Sequence, residues 1–162
     1  MRLGIIGAGR VGASFVLAFP SAVEGILCST AEHTQEQAAR LHATAYTDGA
    51  DLIRHCDVLL LTVRDDVLAP VSRELAASLK GERQLSDRCV FHCSGAMDLS
   101  PLEALASLGI HTGSIHPLQS FAEPSAERLK GIYMAVDGDE QARGVAESIA
   151  RTLGSTPFFV PP

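Results

Sequence analysis

Two sets of residues in this chain have the types and spacing for chemistry. The first is Gly7-Ala8-Gly9-Arg10-Val11-Gly12, directly after the apolar run Leu3 to Ile6 and directly before an apolar stretch over 11–19. A short strand, this glycine spacing and a helix together form the fingerprint of a dinucleotide site. Gly7 permits the tight turn out of the strand. Gly9 brings the backbone up to a pyrophosphate with no side chain between them, and Gly12 lets the helix pack closely on the sheet. The free N–H groups at the helix N-terminus then receive the phosphates. The loop lacks the Lys-Ser/Thr ending of a P-loop, which argues against phosphoryl transfer. The second set is the histidines. Histidine titrates near neutral pH and is the natural carrier of a substrate proton in hydride chemistry. Of the six, His33, His42 and His55 read as surface residues and His111 as structural, whereas His92 and His116 close apolar runs. The plain alternative for His116 is a ring that only braces the loop before Pro117.

These residues need elements to position them. After the first strand and helix, residues 23–28 read as a second strand, and Thr34 to Gln37 has capping-box spacing for a helix running to His42. Residues 44–46 read as a weak third strand, and Asp48 caps a short helix ending near His55. The unbroken apolar run 58–63 belongs in the middle of a parallel sheet, covered on both faces. It leads through Arg64-Asp65-Asp66 into a helix over 67–79. Residues 89–92 form a fifth strand, Ser100-Pro101-Leu102-Glu103 starts a helix with serine as its cap, and Gly109 ends it. Strands over 110–115, 132–136 and 157–160, with a helix over 139–153 between the last two, complete the chain. Alternation of this kind predicts a single α/β domain with a doubly wound, mostly parallel sheet. Right-handed crossovers then bring Gly9, Val63, Ser94 and His116 to one rim.

The 162 residues are 46% hydrophobic, enough for a real core, and the formal charge of −6 leaves no basic stripe for nucleic acid or an anionic membrane. Cys28, Cys56, Cys89 and Cys93 fit no zinc spacing, so no metal site is expected, and they read as reduced thiols of a cytoplasmic chain. No apolar run approaches membrane-spanning length, and the sequence begins with a strand rather than a signal peptide. At the end of the second strand, about 20 positions past the glycines, a carboxylate normally holds the adenine ribose. Cys28-Ser29-Thr30 stands there instead. Without a carboxylate a 2′-phosphate is tolerated, which favours NADP over NAD. The absence of an arginine clamp and the presence of Glu32 pull the other way, and a simple polar turn is the competing reading.

With those residues placed, the chain resembles the N-terminal cofactor domain of a bacterial oxidoreductase family, a Rossmann-like domain followed by a helical domain of unknown function. The resemblance covers essentially the whole chain. It is carried by residues 7–12 (GAGRVG), 58–66 (VLLLTVRDD), 92–96 (HCSGA), 113–121 (GSIHPLQSF) and 131–139 (GIYMAVDGD). The family is similar in turn to prephenate dehydrogenases, pyrroline-5-carboxylate reductases and the 6-phosphogluconate dehydrogenase superfamily. The residues and the resemblance together predict NADP, or NAD, held by Gly7, Ala8, Gly9, Arg10, Val11, Gly12, Ser29, Thr30, Thr62, Val63 and Arg64. It implies hydride transfer to or from a small polar carbonyl, alcohol or imine. Prephenate dehydrogenases pair a serine after one strand with a histidine in a His-Pro loop, and Ser94 and His116 match that arrangement. Ser94 would orient substrate or the nicotinamide ribose and His116 would accept the proton; Gln119 and Ser120 are weaker substrate contacts. Two departures stand out: Thr30 occupies the place of a usual arginine, and the sequence stops at Pro162 where family members continue into a helical domain, through which the resemblance implies a homodimer. The alternative function is a cofactor-binding regulatory or redox-sensing module without hydride transfer.

Overall fold

The computed structural model describes residues 1–159. Short apolar runs form a single seven-stranded sheet: β1 Leu3–Ile6, β2 Val23–Leu27, β3 Val58–Leu61, β4 Cys89–His92, β5 His111–Pro117, β6 Tyr133–Gly138 and β7 Thr156–Phe159. Their order across the sheet is β2-β1-β3-β4-β5-β6-β7, and every pairing is parallel except β5 with β6. The sheet is clad on both faces. On one, α1 Arg10–Ala18, α2 Ala31–Leu41 and the later Glu140–Thr152 helix place Phe15, Ala38 and Ile149 against Leu3, Ile5, Leu60, Phe91 and Met134. On the other, α3 Gly49–His55, α4 Asp65–Ser78 and the short α5 Glu103–Ala106 place Leu52, Leu68 and Leu105 against Ile6, Leu59, Leu61 and Val90. The helix Glu140–Thr152 is α6. Because alternate residues of one strand serve both cores, β1, β3 and β4 must be apolar along their length, as they are except for His92, which closes β4 with both ring nitrogens hydrogen-bonded.

This order positions the site. The chain leaves β1 for β2 on one side and later returns to β3 on the other, so a crevice opens at the carboxyl ends of β1 and β3. The level pairing of Ile6 with Leu61, Leu61 with His92 and His92 with Ser114 brings the glycine loop, Thr62, Cys93 and the end of β5 to one rim.

Three local expectations are corrected. Residues 44–46 make one parallel bridge, Ala45 to Ile26, rather than a strand. The cap of α2 is Thr30, whose hydroxyl oxygen accepts from His33 N–H at 3.1 Å; Thr34 lies inside the helix, buried, donating to Thr30 O at 2.8 Å. Ser100 is likewise not a cap, since Asp98 accepts from both its N–H and its hydroxyl. Those two bonds, the hydroxyl one foremost, hold the Asp98 carboxyl below the ordinary aspartate value. In both cases a residue upstream of the expected cap already supplied the side-chain acceptor. The last expected strand runs from Thr156 to Phe159, and Val160, like Pro161 and Pro162, lies outside the described residues. Among the described residues no helix is long and apolar enough to cross a membrane.

Candidate functional site

The three fingerprint glycines serve different masters. Gly7 has φ +99°, a conformation that side chains disfavour, and a Cβ there would stand 2.9 Å from the Thr62 backbone. A Cβ on Gly12 would collide with Gly7 O and Thr62 Oγ1. Both glycines are therefore required by the protein's own packing. Gly9 is not: its φ of −73° suits any residue, and, its chain neighbours aside, no atom of the described residues lies within 4 Å of the place its Cβ would take. It caps α1 without a side-chain hydrogen bond, so the first N–H groups of that helix have no side-chain acceptor among the described residues. The Thr62 hydroxyl is spent inside the loop, donating to Gly7 O, and so it shapes the turn. Ala8 is buried in the core, and Val11 packs against it.

Beside this loop lies a cleft of about 480 Å³ between the ends of β1, β2 and β3 and the flank of α4. Val63, Val67, Val71, Leu27 and Leu75 give it apolar walls, and Ser29 and Asp48 stand at its polar side. Ser29 is exposed and its hydroxyl is unbonded among the described residues, whereas Thr30 is occupied as the α2 cap. Arg64 faces solvent in a bidentate pair with Asp66, at 3.0 and 2.7 Å. The structure thus gathers Gly7, Val63 and Ser29 around one cleft and turns Arg64 toward its own helix.

At the other half of the rim, His92 and His116 hold the turn 93–95 from adjacent strands. His92 is fully buried at the end of β4; its Nε2 lies 3.0 Å from Asp98 O, and its Nδ1 accepts from Ser94 N–H at 3.2 Å. With both nitrogens engaged it is removed from proton exchange, and burial keeps its pKa below the ordinary histidine value. His116 is half-buried and its Nδ1 lies 3.1 Å from Cys93 O. A carbonyl only accepts, so Nδ1 carries the hydrogen and Nε2 is left as a bare acceptor. The ring rests on Gly95, where a Cβ would run into it. Ser94 lies between these two contacts, and its Oγ accepts from Ala96 N–H at 3.2 Å, leaving the hydroxyl hydrogen free to donate. Burial pushes the Cys93 thiol up to about 12, so no thiolate competes as a base.

Sequence reasoning missed a strap between the two halves. Arg10 Nη1 donates to Phe121 O at 3.1 Å, and the buried Ser14 Oγ accepts from Ser125 N–H at 2.9 Å while donating to Arg10 O at 2.7 Å. The loop after His116 is thereby tied to the first turns of α1. Gln119 and Ser120, on that loop, are exposed, and the Gln119 side chain accepts from Ser120 N–H. No periodicity or motif signals a contact across so long a stretch of chain. Gly95, by contrast, lies inside the HCSGA stretch, and only the position of the His116 ring shows why it is a glycine.

Comparison with curated proteins gives no significant match. Among solved structures, the chain is similar to arogenate dehydrogenase from Synechocystis, with TM-score 0.77, 15% identity, and coverage of 100% of this chain and 60% of that one. It is similar to prephenate dehydrogenase from Aquifex aeolicus, with TM-score 0.76, 14% identity, and 99% and 61% coverage. It is similar also to pyrroline carboxylate reductase from Plasmodium falciparum, solved with NADP bound, with TM-score 0.70, 13% identity, and 99% and 58% coverage. The chain thus spans about three fifths of the length of these proteins. At such identities the likeness speaks for the fold, and the family follows from the sequence itself: matched by its model over residues 1–117, the chain belongs to the Rossmann-like domain family.

Proposed function

We propose that the chain binds a nicotinamide dinucleotide, NADP(H) in preference to NAD(H), as the cofactor domain of an oxidoreductase acting on a small polar carbonyl, alcohol or imine. The observation that carries this reading is Gly9. It lacks a side chain where neither backbone conformation nor internal packing demands it, at the uncapped start of α1. A pyrophosphate supplies the missing reason, since it needs both close backbone approach and free N–H donors. The neighbouring apolar cleft of about 480 Å³ is of a size for the adenosine half. Solved relatives in fold are NADP enzymes in at least one case, that from P. falciparum.

The bound nicotinamide would supply or accept hydride, and the chain's own residues would do the rest. The N–H groups of Arg10, Val11 and Gly12 hold the phosphates. Ser29, at the end of β2 where a carboxylate would bind the ribose hydroxyls, admits a 2′-phosphate at that position. His116 Nε2 accepts a hydroxyl proton, or returns one to a carbonyl, while the Cys93 carbonyl stabilises the imidazolium through Nδ1–H. The Ser94 hydroxyl donates to the substrate. Calorimetric titration of the full chain with NADPH and with NADH tests the reading: saturable binding with NADPH tighter supports it, and no binding of either overturns it. His116→Ala should leave the NADPH titration unchanged, because the ring lies beyond the phosphate loop.

A further inference from the structure

We propose that His92 is a positioning residue that fixes the tautomer of His116 through the turn between them; this rests on the reading of His116 as the proton acceptor. The two rings hold the same turn at neighbouring residues. His92 Nδ1 takes the Ser94 N–H, and His116 Nδ1 gives its hydrogen to the carbonyl of the residue before, Cys93. The Cys93 carbonyl and the Ser94 N–H belong to one peptide unit, so a single plane is pinned at both ends. Rotating that plane to find another acceptor for Ser94 N–H would swing the carbonyl away from His116.

The pinning works only if His92 presents a lone pair at Nδ1. Its Nε2–H donation to Asp98 O sets that tautomer, and full burial disfavours the charged ring, which would have two donors and no acceptor. His116 also lies close enough for its charge to oppose protonation of His92. A neutral His116 ring then has the tautomer opposite to that of His92, with its Nε2 left as the acceptor. An imidazole free in water favours hydrogen on Nε2, so loss of the Cys93 contact would block the very atom that must accept.

Imidazole tautomers are read directly from long-range proton–nitrogen NMR correlations of the labelled full chain, under conditions where His116 is neutral. The wild-type ring should carry its hydrogen on Nδ1. In His92→Leu the Nδ1–H to Nε2–H ratio should fall about threefold to tenfold, the worth of one ordinary hydrogen bond. His92→Asn, which keeps an acceptor near the position of Nδ1, should restore the ratio. His92→Gln, which reaches Asp98 but not Ser94, should not. An unchanged ratio in folded His92→Leu overturns the proposal. If that variant does not fold, the Asn and Gln variants decide, and equal ratios in them overturn it. NADPH titration of the same samples reports separately on cofactor binding, so failure of the functional reading is distinguishable from failure of this one.

Discussion

His92 and His116 differ by one hydrogen-bond partner and some burial, and that difference divides brace from base. The buried His92 ring makes the domain acid-sensitive. Burial holds its folded pKa below the unfolded value, so below about pH 6.5 the unfolded chain binds more protons than the folded one. The stabilisation is complete above that value and is lost as pH falls toward the folded pKa. Denaturant unfolding at stepped pH should show this slope in the wild type, and His92→Asn should flatten it; an identical slope in both would place the sensitivity elsewhere. Selectivity is also set by single residues. Ser29→Asp puts a carboxylate at the mouth of the cleft, so NADPH affinity should fall about tenfold or more while NADH binds as well or better. Equal losses for both would show that the end of β2 does not meet the ribose.

At the scale of elements, the turn from β1 into α1 is held by contacts that reach across to β3. Gly12→Ala drives a methyl group into Gly7 O and Thr62 Oγ1, and the helix must lift from the sheet. A cost of about 1–3 kcal/mol in unfolding free energy is expected, and an unchanged midpoint in urea would contradict the packing described. The sheet was largely legible because β1, β3 and β4 are buried on both faces and their apolar runs have no other home. The helix starts were less so. Thr34 and Ser100 have the right spacing for caps, yet Thr30 and Asp98 reach the free N–H groups first, and local sequence does not rank two acceptors a few residues apart. The glycine loop was legible by motif, but only the structure separates Gly9 from Gly7 and Gly12. Ser94 and His116 were legible as rim residues; the braces behind them, His92 and Gly95, required the register of β4 with β5. The Arg10 strap left no trace in the sequence, because one guanidinium on one carbonyl has no pattern.

Across the whole molecule, cladding of the sheet is uneven. The helices α3 to α5 cover β1, β3 and β4, whereas the row His116, Ala135 and Phe158 crosses β5, β6 and β7 on the same face toward an exposed aromatic pair. Tyr133 is 61% and Phe158 38% exposed, and their rings meet edge to face at 6.3 Å. Hydride transfer profits from excluding water, and His116 is only half-buried among the described residues. The 162-residue chain is therefore expected to bind NADPH without oxidising it when offered small carbonyl and imine compounds. Substrate-dependent loss of NADPH absorbance would contradict that expectation. The central claim, that this domain holds a dinucleotide on the bare start of α1, is tested most directly by NADPH calorimetry on wild type and Gly9→Val. A valine side chain at Gly9 meets no protein atom at its Cβ and costs under about 1 kcal/mol as a poorer helix cap, so the variant should fold. Its affinity for NADPH should fall at least about tenfold, roughly 1.4 kcal/mol, because the side chain occupies the place of the pyrophosphate. A folded Gly9→Val protein that binds NADPH as tightly as wild type would contradict the account.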